Sequence, residues 1–394
     1  MSKKIAIIGR GTAGTISFMQ YQELFPKAEI EWYYDPLGKT QTIGEASPAE
    51  FPTIFSNFTI PLSYNFLEKI KGSYKLGIRK LDWGGKGDFT HYFYFGNHAY
   101  HFDAVALQDC ILDHFLTNPK SNIKIIPKYI KSHNDIDADQ IIDCSGTPKN
   151  PSDTIQAKHI PVNSAYVVNC APIDYHFSLH IARPYGWVFG IPLKDKLSIG
   201  YLYNNNLNTE EEIEKDLEEL YKIYNFTFIK KNSTWSFNNY FRKVNYTERV
   251  TYNGNNAFFL EPMESNSISI INWINILRSR QLKHSHISLE QINGAFHNEV
   301  IRSENMILSN YCAGSKFDTP FWDMAKSTGE KVFKEMCQND DFFKKVIEPM
   351  VDPTKLPPLP PSKKDTYGPW NYQSWKENIT GFRLNNKLKT FYKH

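Results

Sequence analysis

Six residues near the start of the chain, Gly9-Arg10-Gly11-Thr12-Ala13-Gly14, have the types and spacing that hold a phosphate. The first glycine permits a tight turn, the second lets backbone N–H groups approach a pyrophosphate, and the third lets the next helix pack on the strand before it. That helix aims its N-terminal N–H groups and the positive end of its dipole at the same anion. Asp35 lies 21 residues beyond Gly14, where a carboxylate accepts hydrogen bonds from an adenosine ribose. Alone, the glycines read equally well as an ordinary turn before a helix. Context separates the two readings. Lys4-Ile5-Ala6-Ile7-Ile8 is an apolar run before the turn, the residues up to Pro26 read as a helix, and Ile30 to Tyr34 read as a second strand. Strand, glycine turn, helix, strand and acid predict a dinucleotide cofactor, FAD or NAD.

Other reactive side chains say less on their own. Lys75 is one of 45 basic residues and reads as a surface lysine. Glu264 reads as an acid at a helix N-terminus, favoured by the dipole. Trp187 and Phe189 read as strand core. His91, His98 and His101 have a spacing that suits no helical metal site, and no metal is predicted. Cys110, Cys144, Cys170, Cys312 and Cys337 are scattered, odd in number and without CxxC spacing, so they read as reduced thiols.

The elements that must position these residues follow a mixed pattern. Thr42 to Phe55 carries Ile43-Gly44-Glu45-Ala46-Ser47-Pro48, small residues and a proline that mark a loop opening a helix. Leu81 to Tyr100 is rich in aromatic residues and glycine and reads as strands or loops over a site. Residues 104–116 read as a helix, and 123–130 and 140–144 as strands, the latter closing on a small-residue turn. Residues 162–204 alternate as a mixed sheet does. Residues 209–224 form an acidic amphipathic helix, 250–263 one more strand, 265–279 a helix, and 288–345 helices broken around Gly314 to Pro320. Prolines between 353 and 361 mark an extended tail, which Trp370 and Trp375 tie to the body.

Bulk composition excludes several classes. The 394 residues suffice for a large core and two domain-sized units. A formal charge of +3 gives no electrostatic case for nucleic acid or membrane binding. The chain starts directly on a core strand, so no signal peptide is read and a cytoplasmic protein is expected. Ile268 to Leu277 is too short and too polar to span a bilayer.

The ordered set of motifs resembles the flavin-dependent halogenases of the tryptophan halogenase family. Gly9 to Gly14 is similar to that family's GxGTAG, and Asp35-Pro36 followed by Gly44-Glu45-Ala46 to its acid-Pro and GEA segments. Lys75, in Ser73-Tyr74-Lys75-Leu76-Gly77-Ile78, stands where the family carries its catalytic lysine. Ile142-Asp143-Cys144-Ser145-Gly146, Leu260-Glu261-Pro262-Met263-Glu264-Ser265 and Asp318-Thr319-Pro320-Phe321-Trp322 match further segments in order. The coverage runs from residue 4 to 325. The resemblance implies an α/β protein: a Rossmann-like FAD-binding domain of the flavin monooxygenase type, a mixed-sheet substrate region and C-terminal helices. Its boundaries are 1–160 with 245–285 for the FAD-binding region, 161–244 for the substrate side, and 286–394 for the helices and tail.

The same resemblance implies the chemistry. Reduced FAD, supplied externally by a separate NAD(P)H-dependent flavin reductase, reacts with oxygen and halide to give hypohalous acid. Lys75 activates this oxidant beside a small aromatic substrate, and Glu264 orients Lys75, balances the cationic ring or takes its proton. Gly9, Gly11, Thr12, Ala13, Gly14, Asp35, Gly44, Glu45, Ala46 and Asn255 are the implied FAD contacts, and Asn266 and Ser267 the implied halide contacts. Trp187, Phe189, Ile191 and Pro192 form the implied barrier between substrate and flavin. Three departures stand out. Phe189 replaces the second Trp of WxWxIP, Asn255 replaces an acid, which implies weak FAD binding, and Ser267 replaces a glycine. The chain ends early beside family members that use free tryptophan, which implies substrates with no required amino-acid group. Two other readings remain: a flavin monooxygenase that hydroxylates or epoxidises without needing Lys75 and Glu264, and a non-catalytic flavin-binding protein.

Overall fold

A computed structural model describes residues 3–38, 44–49, 51–52, 64–84, 87–93, 97–352, 354–357 and 366–392. Ile43, residues 53–55 of the predicted helix opening, parts of the aromatic stretch (85–86 and 94–96) and most of the proline-rich run lie outside these. The chain divides into two compact units. One comprises 1–72, 102–156 and 240–300, the other 73–101, 157–239 and 301–394.

The first unit is built on a parallel sheet. Among the described residues its strands run in the order Val250–Tyr252, Gln140–Asp143, Lys4–Ile8, Glu29–Tyr34, Ile123–Pro127. Every neighbouring pair is parallel. The strands read as near-continuous apolar runs because a parallel sheet is covered on both faces. Lys4–Ile8 is the point where chain order reverses, and ligands of such sheets bind at the carboxyl edge there. The helix Thr12–Leu24 covers one face. Its Phe18 stacks on Trp32 at 4.4 Å and meets Phe115 edge-on at 4.8 Å. Phe115 belongs to the helix Ala104–Thr117, whose N-terminus Asp103 caps by accepting from the N–H groups of Val105 and Ala106.

The second unit holds a seven-stranded sheet ordered Phe228–Ser236, Ser164–Cys170, Leu197–Tyr203, Gly186–Pro192, Ser178–Arg183, Gly77–Leu81, Phe89–Tyr92. All pairs are antiparallel except Ser178–Arg183 with Gly77–Leu81. The helix Glu210–Tyr224 starts at a Thr209–Glu212 capping box. Its Ile213, Leu217 and Leu220 bury against Val188, Ile199 and Tyr201 on one sheet face. By the two-residue period, Trp187, Phe189 and Ile191 belong to the other face.

One element differs from expectation. Residues 250–263 are not one strand: Val250–Tyr252 ends at a turn, Gly254–Asn256, and Phe258–Phe259 joins a different sheet. Gly254 has φ +59°, outside the extended range, so the strand cannot continue through it. The edge strand Phe228–Ser236 is exposed or half-buried along its whole length and so shows no buried alternating face.

The tail packs within the second unit. Trp375 lies edge-on to Phe343 and to Trp370, each at 4.8 Å, and both tryptophans are buried. The ammonium of buried Lys80 donates to the amide oxygens of Asn310 and Asn378 and faces the rings of Phe382, Trp370 and Phe89. Amide dipoles and aromatic faces thus compensate a buried cation. No helix among the described residues is long and apolar enough to cross a membrane.

Candidate active site

In the first unit, three turns gather at the carboxyl edge of the parallel sheet. The N–H of Gly9 donates to Tyr33 O at 2.8 Å, and its φ is +105°. A Cβ on Gly9 would stand 2.6 Å from Cys144 O, and one on Gly14 would stand 2.1 Å from Gly9 O. These two glycines therefore serve packing, of turn on turn and of helix on turn. Gly11 is different: a Cβ there meets nothing within 4 Å. It is the N-cap of the helix, with no side chain capping the first N–H groups. The space over those donors is open to an anion, which fits a pyrophosphate. Thr12 and Ala13 open that helix, and Gly254 approaches them so closely that its Cβ would stand 2.5 Å from that of Ala13.

The second turn follows Gln140–Asp143. Cys144 N donates to Ile8 O, and Gly146 takes φ +108°. Buried Asp143 accepts from His133 Nε2 at 2.7 Å and from Ser145 N at 2.9 Å. Burial opposes its charge, but these hydrogen bonds win and hold its carboxyl below the ordinary range. In the third turn the side chain of Asn255 is exposed, and its carbonyl accepts from Tyr240 OH at 2.6 Å. Asp35 is exposed at the end of its strand, and its Oδ1 accepts from Leu37 N at 2.9 Å.

Gly44, Glu45 and Ala46 form a short strand. Half-buried Glu45 accepts from Thr12 Oγ1 at 2.8 Å. Removal from water raises its pKa from the ordinary 4.5 to about 7, against the Thr12 hydrogen bond and with the help of the Asp103 charge. The folded chain therefore binds this proton more tightly than the unfolded chain. The resulting stability is complete below about pH 4.5 and is lost as pH rises through about 7. Glu45→Gln should leave the unfolding free energy unchanged at pH 4 and raise it by about 1–3 kcal/mol at pH 8. Denaturant titrations of both proteins across that range measure the difference.

Glu264 lies in the short turn Met263–Ser265 just before the helix Ser267–Lys283. It is buried at φ +63°, and Ser265 follows at φ +55°. Two successive left-handed residues without glycine cost about 1–2 kcal/mol each, a strain that clusters at functional sites. Ser267, by contrast, has helical dihedrals. Serine meets that conformation without strain, so the glycine it replaces is not needed here for backbone freedom. Asn266 is buried, and its amide nitrogen and oxygen have no hydrogen-bond partner among the described residues. An orphaned buried amide costs about 1–3 kcal/mol unless a ligand or water meets it. Beside it the helix N-terminus has no side-chain cap.

In the second unit, Lys75 is fully buried at the end of the strand Ser73–Lys75. Its Nζ lies 5.3 Å from the centroid of the Phe93 ring. The strand pairs antiparallel with Ala99–Asp103, placing Ser73 opposite His101 and Lys75 opposite Ala99. Trp187, Phe189, Ile191 and Pro192 all lie buried in Gly186–Pro192, near the middle of the mixed sheet. The Trp187 ring meets His180 at 4.9 Å and Trp83 at 6.4 Å. Phe189 pairs with Gly200, where a Cβ would stand 2.2 Å from the ring, so the ring lies over that glycine.

A sequence profile described as tryptophan halogenase matches residues 4–126 and 128–387. The chain belongs to the tryptophan halogenase family. It is therefore an enzyme of a halogenase family. It is 21% identical to tryptophan 7-halogenase RebH of Lentzea aerocolonigenes, over 81% of this chain and 78% of that protein. The fold is similar to that of BrvH, a flavin-dependent halogenase from Brevundimonas sp. BAL3, with a TM-score of 0.77 and 16% identity over 97% and 90% of the two chains. It is also similar to Xcc4156, a flavin-dependent halogenase from Xanthomonas campestris, with a TM-score of 0.78 and 17% identity over 99% and 93%. The α/β architecture with its Rossmann-like parallel sheet is thus the tryptophan halogenase fold. Within this family member, Gly9 to Gly14, Asp143 to Gly146 and Gly254 to Asn256 come together in one unit, as do Glu264 and Asn266.

The Asp318 to Trp322 motif acts structurally in this halogenase fold. Thr319 caps the helix Pro320–Asn339 and donates through Oγ1 to Pro184 O at 2.7 Å. Trp322 Nε1 donates to Arg183 O at 2.7 Å. Sequence reasoning missed Ser73, His101 and Ser178, which hydrogen-bond beside Lys75. Its only available signal was a histidine in an apolar strand.

Proposed function

We propose that this protein is an FAD-dependent halogenase that uses hypohalous acid, relayed to Lys75, to halogenate an electron-rich aromatic substrate. When bound, reduced FAD supplies that oxidant from oxygen and halide, and a separate NAD(P)H-dependent flavin reductase keeps it reduced. The N–H groups above Gly11 hold the pyrophosphate, Asp35 the ribose, and Thr12, Ala13, Gly44, Glu45, Ala46 and Asn255 the rest of the cofactor. The orphaned Asn266 amide and the uncapped helix start at Ser267 hold the halide. Trp187, Phe189, Ile191 and Pro192 keep substrate away from the flavin. Lys75 either donates a hydrogen bond to the oxygen leaving the halogen or carries the halogen on its amine. Glu264 accepts the ring proton or offsets the ring's positive charge.

The complete burial of Lys75 carries this reading. Burying an ammonium costs several kcal/mol, and a lysine chosen for solubility would stay in water. Lys80 is also buried, but the amides of Asn310 and Asn378 and the rings of Phe89, Trp370 and Phe382 account for it structurally. Lys75 instead occupies the motif position of the family's catalytic lysine.

The test mixes the protein with reduced FAD, oxygen, a panel of indoles and phenols and one halide at a time, read by mass spectrometry. Halide-dependent halogenated product is expected. Oxygenated product formed without halide would establish a monooxygenase instead, and flavin binding with no product a non-catalytic role. Glu264→Gln should keep FAD affinity within about twofold while turnover falls by about 10²-fold, the lower range for loss of one acid–base group. Equal losses of FAD binding and turnover would make Glu264 a structural residue.

A further inference from the structure

One hydrogen-bond chain in the second unit has every proton direction fixed. Ser73 Oγ donates to Pro192 O at 2.7 Å, and a carbonyl can only accept. The single hydroxyl proton is thereby used, so Ser73 Oγ must accept from His101 Nδ1, 3.0 Å away. His101 is then the Nδ1–H tautomer, and its Nε2 accepts from Ser178 Oγ at 2.9 Å. His101 is fully buried, Ser178 is buried and Ser73 is half-buried. Burial first, then the charges of Lys75 and His176, hold the imidazole well below its ordinary pKa, so it stays neutral.

The chain joins four strands at one point. Ser73 lies two residues before Lys75 and on the same face of its strand. Pro192 ends the Trp187-bearing strand, and Ser178 begins its neighbour. On the other side of Lys75, Leu76 N donates to His176 O and Leu76 O accepts from Phe93 N. The lysine is held on both sides, and His101 supplies the link on the Ser73 side.

We propose that His101 is a positioning residue: as its Nδ1–H tautomer it fixes Ser73 against Pro192 O, and through Ser73 the place of the Lys75 side chain. This rests on the proposed role of Lys75. His101 transfers no proton and touches no substrate. Its contribution is to hold a reactive group whose displacement by about 1 Å would cost on the order of 10²-fold in rate.

Two substitutions split the chain in half. His101→Asn places an amide N–H where Nδ1–H stood and keeps the bond to Ser73. His101→Gln reaches the Nε2 position and keeps the bond from Ser178. The assay is the full-length protein with reduced FAD, bromide and a slow-reacting aromatic, measuring halogenated product per flavin oxidised. Thermal unfolding and hydrogen exchange at the Tyr74 and Lys75 amides are read beside it. Asn should keep product yield within about threefold, while Gln and His101→Ala lose about tenfold or more. Flavin oxidation should be unchanged in all three, and exchange faster in Gln and Ala than in Asn. Gln matching or exceeding Asn would overturn the proposal, as would wild-type yield in all three variants, or losses that only track melting temperature. Lys75→Ala runs in parallel. If it keeps wild-type yield, the lysine reading itself has failed. If it is inactive while Asn and Gln behave alike, only the role of His101 has failed.

Discussion

Replacing Lys75 with alanine should lower halogenated product on a slow-reacting substrate by about 10³-fold or more, while oxygen continues to oxidise reduced flavin at the wild-type rate. The lysine acts after the oxidant has formed, so its loss separates oxidant production from its use. A slow substrate is essential, because an activated phenol reacts with hypohalous acid free in solution. The fold should survive. Lys75 ends a three-residue strand opposite Ala99, and its backbone pairing does not depend on the side chain. Removing a buried ammonium also removes its desolvation cost. Product at near wild-type yield would remove Lys75 from the chemistry, whatever the family motif implies.

The largest structural effect is expected at Asp216. Its carboxylate accepts from Arg183 Nε at 2.8 Å and from a terminal guanidinium nitrogen, and both side chains are buried. Burial disfavours the Arg183 cation, but Asp216 more than offsets this and holds its pKa above the ordinary value. Asp216→Ala leaves that cation buried, with the largely exposed Glu219 carboxylate at 3.9 Å and the charge of Asp82 as acids still acting on it. The expected cost is about 3–5 kcal/mol, a fall in melting temperature on the order of 10 °C. The damage should spread, because the carbonyls of Arg183 and Pro184 accept from Trp322 and Thr319. Arg183→Met combined with Asp216→Leu should regain most of the loss, since an apolar pair leaves no orphaned charge. Thermal unfolding of the three proteins decides this. A double variant no better than Asp216→Ala would place the stabilisation in packing and not in charge.

Local rules made much of the first unit legible in the sequence. A glycine turn between an apolar strand and a helix has few structural meanings, and Gly9, Gly14 and Asp35 fall at the ends of the elements they were expected to join. Motif order identified the family because each segment is short and chemically constrained. The acidic helix Glu210–Tyr224 was legible for a similar reason: its capping box and apolar stripe are local signals. Pairwise contacts were not legible. Nothing in the spacing of Ser73, His101 and Ser178 says they share one hydrogen-bond chain, because strand pairing brings together residues separated by up to 105 positions. The ring of Phe189 over Gly200 comes from strand pairing too, while the cation of Lys80 among three rings and the Arg183–Asp216 pair come from helices packed against strands. Residue type without the motif would put Lys75 on the surface, while the fold buries it. Nor does the glycine-to-serine change at Ser267 mark the left-handed residues, which are Glu264 and Ser265. Sequence determines periodicity, caps and turns because these depend on neighbours within a few residues. Burial, protonation and tautomer depend on what distant segments bring to the same point, so only the tertiary structure decided them.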